Sequence, residues 1–395
     1  MRFPRECYQM ETELLDMLPQ LRPAQRQGLA LWVYGATLAQ SACQDAVIAA
    51  LATYGRWHTI RDHLREWLFD GADRAAPCRT QLTVTQCFAP LLQWILARWE
   101  GQQLALAIDV TYRGGDITAL VISVLYRGTA IPVAWKMLRC NAPGAWMPEF
   151  ERLLALLAPV VPKRLQVLVL LDAGLRGAAL WQQVRSLGWH PLVRQRIDMT
   201  FRPAGYRKRV PARSLVSGPG RAWVGQGVAF KHRPYRRAGT LIVVWAEDAP
   251  DPWVLLTDLP PHEAGVWWYG LRMWIELGFR MLKGVGWQWQ RTRRTNLARA
   301  ERHWLVLAVA SAWVLAYGTH LEERGDCYAL PPWVAALAEP HPKPHRPLSL
   351  ARLGRCVLCI QLLRGRLWRR LCFRPDPWPD PPPTLLITYH ECTPG

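Results

Sequence analysis

A mixed α/β fold, with one sheet flanked by helices, is what this sequence predicts. Three observations carry it. Short β-branched, apolar segments begin at residue 104 and alternate with amphipathic stretches. A basic block with further short strand patterns interrupts them after residue 200, and helical periodicity dominates residues 1–99.

Taken in order, "AQRQGLALWVYGATLAQ", "CQDAVIAALATYG" and "TIRDHLREWLFD" place apolar residues at helical spacing, so a helical N-terminal domain is expected over 1–99. A helix-turn-helix is conceivable around "TLAQSACQDAVIAAL", and a plain helical bundle reads the same pattern equally well. "LALAIDVTY" and "ITALVISVLYRGTAIPVAWKML" then give three strands joined by short turns, an antiparallel meander. "WMPEFERLLALLAP" reads as a helix, and "LQVLVLL" as a central strand buried on both faces. The helix "LRGAALWQQVRSLG" and the strand "HPLVRQR" complete a β-β-β-α-β-α-β order over 100–200. Residues 201–259 form a basic β-rich insertion, and helices resume over 260–322, from Glu263 to about Lys283 and from about Leu297 to Leu321. The C-terminal region, 323–395, ends in "RPDPWPDPPPT", which cannot be helical and is expected to be extended.

Charge narrows the function classes. The chain of 395 residues has 49 Lys and Arg against 30 Asp and Glu, a formal net charge of +19. From Met199 to Ala246 there are ten Lys or Arg and no acid, and from Arg346 to Arg374 eight Arg and no acid. Such an excess points to a polyanion, either nucleic acid or an anionic membrane. The longest apolar run, Trp304 to Tyr317, is 14 residues long. That is short of the ~20 needed to span a bilayer, so a buried helix is expected and no membrane partner. "MRFPRECYQMETELLDML" has no apolar signal core, which favours a cytoplasmic protein. The ten cysteines lack disulfide-like spacing and are expected to be reduced. Cys356 and Cys359 form one CxxC without a second pair, which reads as thiols on a helix rather than a zinc site.

Two aspartates follow apolar strands: Asp109 in "ALAIDVTY" and Asp172 in "LVLLDAG". A buried carboxylate is costly unless it is paired or bound to a cation. In this element order the first and fourth strands can lie side by side, which brings both acids together. A divalent cation relieves the repulsion, and Mg²⁺ suits oxygen ligands and phosphate substrates. A third acid comes from "YGLRMWIELGFRMLK". At about 100° per residue, Tyr269, Arg272, Glu276, Arg280 and Lys283 share a stripe about 80° wide. Alone, the stripe also fits a solvated face with i,i+4 pairing.

Tyr269-x2-Arg272-x3-Glu276-x6-Lys283 resembles the Tyr-Arg-Glu-Lys signature of the DDE transposases of bacterial insertion sequences, with Asp109 and Asp172 where that family has its first two acids. The resemblance covers roughly residues 100–320. It implies a ribonuclease H-like catalytic core with a β-strand insertion. It also implies Asp109, Asp172 and Glu276 as catalytic ligands of two Mg²⁺ ions, for which Mn²⁺ substitutes. Tyr269, Arg272 and Lys283 would contact DNA phosphates, and Trp253 in "DPWVLLTDLP" would stack on a base, although core packing accounts for it equally well. The implied protein is a nucleoid-associated endonuclease. It acts as a homodimer on double-stranded transposon ends and target DNA, by cleavage and strand transfer, with a hairpin as one route. A nuclease that does not join DNA, and a catalytically silent DNA-binding descendant, are the alternatives. Residues 1–99 and those after 345 match no family pattern.

Overall fold

The computed structural model describes residues 4–69, 82–140, 146–324, 348–365, 367 and 371–390. Its centre is a mixed sheet of eleven strands, in the order β3-β2-β1-β4-β5-β10-β9-β8-β6-β7, with β11 added on β8. The expected mixed α/β core is present. β1 (Gln103–Arg113), β2 (Ile117–Tyr126) and β3 (Thr129–Arg139) form an antiparallel meander. α6 (Trp146–Leu157) crosses to β4 (Gln166–Leu171), which runs parallel to β1, and α7 (Ala178–Ser186) crosses to β5 (His190–Arg194), parallel to β4. Parallel neighbours need such crossovers, and their strands are buried on both faces. All ten residues of β2, and five of the six of β4, are buried.

The insertion does not stand apart from this sheet. β6 (Thr200–Pro203), β7 (Val210–Pro211), β8 (Arg221–Ala229), β9 (Arg237–Trp245) and β10 (Trp253–Thr257) extend it, because β10 pairs antiparallel with β5.

Helices cover the faces. α8 (Met273–Arg280) and α9 (Leu297–Arg324) both pack on β3. α9 carries the Trp304–Tyr317 run, and every residue of that run is buried inside the protein. By length and composition alone α9 could cross a membrane, yet its apolar window is wholly enclosed. It is anchored by Trp135 Nε1–H donating to Glu301 O at 3.1 Å, and by Tyr126 Oη against Thr319 Oγ1 at 2.6 Å.

The N-terminal segment forms α1 (Arg5–Met17), α2 (Pro23–Ala39), α3 (Gln44–Ala50), α4 (Trp57–Leu68) and α5 (Phe88–Leu96). α2 starts with Pro23 in the first turn, where the missing N–H costs nothing. It ends at Gln40, whose φ of 51° turns the chain toward α3. These helices pack directly on the core: Ala42 N–H donates to Trp287 O at 2.7 Å, and Arg302 donates to Leu68 O at 2.8 Å.

α10 (Leu350–Leu363) lies across α9, and Gly354 makes the crossing close, since a Cβ there would stand 1.9 Å from Val314 O. Cys356 and Cys359 are half-buried free thiols on α10. Of the C-terminal basic run, Arg346, Arg366, Arg369 and Arg370 lie outside the described residues. The Pro-rich tail is extended, as its composition requires, and leads to β11 (Leu386–His390), which pairs parallel with β8. Arg127 fastens the tail to the core, with Nη2 at 2.8 Å from Glu322 and Nε at 3.3 Å from Asp376.

Candidate active site

The sheet register brings the two strand acids together. Ile108 of β1 pairs with Leu171 at the end of β4, so Asp109 and Asp172 are the next residues on adjacent parallel strands. β1 does not end at Asp109. It runs on to Arg113 through its antiparallel partner alone, with Asp109 opposite Val121 of β2. Asp109 therefore sits where β4 stops covering β1, an edge opened inside the sheet.

The third acid arrives on a segment less regular than its periodicity suggests. Residues Trp268–Arg272 form a 3-10 turn, α8 follows, and Met281–Val285 form a π turn. The single helix expected from Glu263 to about Lys283 is thus three short pieces. Gly278 lets α8 lie tight on the sheet, since a Cβ there would come within 2.7 Å of the Ala130 Cβ.

All three acids meet one guanidinium. Arg272 Nη2 lies 2.9 Å from Asp109 Oδ2 and 3.9 Å from Asp172 Oδ2, while Nη1 donates to Glu276 Oε1 at 3.1 Å. Asp109 also accepts from the Val110 N–H at 2.8 Å, and Tyr269 Oη donates to Asp172 Oδ1 at 3.4 Å. The Arg272 side chain is 13% exposed and that of Glu276 51%, so the cluster has a buried floor and an open mouth.

Burial sets the electrostatics. It raises the Asp109 pKa above its ordinary value; Asp172 and Glu276 add to the rise, and Arg272 and the Val110 N–H oppose it. Burial works against the Arg272 charge, but Asp109, Tyr269, Asp172 and Glu276 outweigh it and raise its pKa. Burial also raises the Tyr269 phenol, which keeps it a neutral donor. Lys283, on the π turn, is lowered by burial, an effect Asp109 partly offsets.

Trp253 opens β10 and is half-buried. Its ring lies 5.6 Å from Trp267 and 5.5 Å, edge-on, from Tyr269. It therefore joins the site through Tyr269. Arg194, at the end of β5, adds positive charge near Tyr269. Sequence reasoning misses it, although a basic residue ending the strand beside β4 is a usable signal. Arg280 points elsewhere: with Arg352 and Arg355 it lines a cavity of about 230 Å³ between α8 and α10.

Three carboxylates are the donor type that hard divalent cations take. Among the described residues, however, no group of three or more His, Cys, Asp or Glu has metal-site geometry. The Arg272 guanidinium stands in the middle as the cation they share. The donor chemistry of the three carboxylates fits a hard divalent cation.

Residues 147–313 match the family described as Transposase DDE domain, a span that holds Asp172, Tyr269, Arg272, Glu276 and Lys283 and leaves out Asp109. Among solved structures, a piggyBac transposase synaptic complex with hairpin DNA is similar at 11% identity and a TM-score of 0.40, over 92% of this chain and 79% of that one. That similarity is too low to carry residue correspondences. No curated protein matches the chain.

Proposed function

We propose that this protein, whose residues 147–313 match the family described as Transposase DDE domain, is a DNA transposase of a bacterial insertion sequence, cleaving element ends and joining them to target DNA. The observation that carries the reading is the meeting of Asp109, Asp172 and Glu276, from three separate elements, on the single guanidinium of Arg272. A cluster of perturbed charged groups in an open cleft is a functional-site signature, and a net charge of +19 suits a polyanionic substrate.

In this reading Asp109, Asp172 and Glu276 would hold two Mg²⁺ ions, which would supply an activated water or hydroxyl and charge for the leaving oxygen. Arg272 leaves the acids and forks onto a DNA phosphate, for which its planar guanidinium is suited. Tyr269 stays protonated and donates to a phosphate oxygen, and Lys283 contributes a point charge. Trp253 offers a stacking face beside them. Hydrolysis at the element end frees a 3′-hydroxyl. In joining, that oxygen attacks a target phosphorus as the target's own 3′-oxygen leaves. Two ends act in one reaction, which calls for a homodimer.

The test incubates the full chain with labelled element ends, a target plasmid and Mg²⁺. Cleaved and joined products are expected. Glu276→Gln should reduce both by on the order of a thousand-fold, the scale of losing one group that stabilises developing charge. Undiminished cleavage by Glu276→Gln would remove the assignment, and cleavage without joining would leave a nuclease.

A further inference from the structure

A second cationic site lies on the other side of the Asp172 loop. A cavity of about 630 Å³ opens between the turn that follows Asp172 and the β8–β9 hairpin, lined among others by Gly174, Arg176, Phe230, Lys231, Tyr235 and Arg237. At its wall is an unusual cation. Arg237 opens β9 and is only 7% exposed. Its Nη2 donates to the Arg176 carbonyl at 3.0 Å, while Nε and Nη1 have no hydrogen-bond partner. No acid among the described residues pairs with it, and burial alone lowers its pKa. Two rings face the guanidinium, Trp181 at 5.6 Å and Phe230 at 5.2 Å. Phe230 holds that position with a φ of 62°, a left-handed conformation that non-glycine residues seldom adopt. An observed outlier of that kind is a pointer to function.

A buried guanidinium with two idle donors and no counter-charge is costly to keep. A ligand anion would bring the missing charge and accept from one of the two idle donors, which point to opposite sides of the guanidinium. The mouth suits a nucleic acid strand rather than a lone ion. Lys231, His232, Arg233, Tyr235 and Arg236 on the hairpin are exposed, Tyr235 by 59%, and supply charge and an aromatic face. The cavity is also tied to the acid cluster, since the carbonyl that Arg237 grips belongs to Arg176, four residues after Asp172.

We propose that this cavity holds a backbone phosphate of the bound DNA on Arg237, with the sugar against Phe230 and Tyr235, and that this contact fixes the loop carrying Asp172. The proposal rests on DNA being the substrate. Arg237 is on this view a positioning residue that does not touch the reacting atoms.

The test is binding without chemistry, on the full chain in EDTA, with a short fluorescent duplex of mixed sequence titrated across a range of KCl. Arg237→Gln should weaken affinity about tenfold, the scale of one charged hydrogen-bonded contact. It should also lower the slope of log K against log salt by about 0.9. Its melting temperature without DNA should equal or exceed that of the unmodified chain, because the buried charge had no acidic partner. Arg237→Lys should recover the slope but only part of the affinity. Tyr235→Ala, at an exposed position, should weaken binding with the fold intact. Hydrogen exchange should show residues 173–178 and 230–237 protected by the duplex. Unchanged affinity and slope in Arg237→Gln would overturn the proposal. So would a lowered melting temperature without loss of that protection, which would make Arg237 structural. Protection by inorganic phosphate and not by the duplex would mean a small-anion site and would equally refute it. If Arg237-dependent binding holds while the unmodified chain neither cuts nor joins DNA in Mg²⁺, the transposase reading fails and the cavity assignment stands.

Discussion

Asp109 is kept in a place that opposes its charge. Burial raises its pKa, and the attraction of Arg272 only partly offsets the rise. The folded chain thus binds this proton more tightly than the unfolded chain does. The sign follows by linkage: the stability this group contributes is full below the ordinary aspartate pKa and is lost as pH rises through the raised value. Asp109→Asn should therefore raise the urea midpoint at neutral pH and remove part of the downward slope of stability above the ordinary carboxylate range. The loss of an Arg272 partner does not reverse the sign, because the Arg272 attraction already belongs to the raised pKa. A lower midpoint for Asp109→Asn at neutral pH would contradict this. That Asp109, Asp172 and Glu276 would converge was legible from sequence, since an Asp after an apolar run needs a cation, and the Tyr-Arg-Glu-Lys spacing points to its partners. The hub role of Arg272 was not. Periodicity places a residue on a face and says nothing of which of several acids a flexible guanidinium will reach.

The segment from Trp268 to Val285 shows where pattern reading stops. A uniform 100° step puts Tyr269 on a solvated stripe, yet Tyr269 is 4% exposed, because the 3-10 turn winds it inward toward Asp172. The π turn likewise resets Lys283 relative to α8. Spacing survived these changes and orientation did not. The meander and the central strand β4 were legible because alternation and continuous apolar runs report burial directly. That β1 would outrun β4 past Asp109 depended on partner lengths, which no local pattern encodes. Gly278 is the element-level control on the site. Gly278→Val should cost about 1–3 kcal/mol by overpacking against Ala130. It should also displace Glu276, so cleavage falls further than stability alone explains, as a denaturation curve and a cleavage assay on one preparation would show. Normal cleavage in a chain destabilised by that amount would separate Gly278 from the acid's placement.

At the scale of the molecule, the parts distinguished in the sequence share one frame. The insertion pairs to β5 through β10, the tail returns to β8 through β11, and Arg127 joins β2–β3 to α9 and the tail. Sequence composition marked the basic insertion correctly as strand-rich, but a change in composition is not a seam in the structure. The consequence is calorimetric. A sheet of eleven strands without a break has no internal boundary at which half could melt first. Heating should give one endotherm, with van't Hoff and calorimetric enthalpies close to each other. A fragment ending near residue 200 would keep the strands of Asp109 and Asp172, yet lose β10 from beside β5 and α9 from beneath β3. It should show no cooperative transition of its own, and two resolved endotherms in the full chain would show that the sheet has a hidden joint.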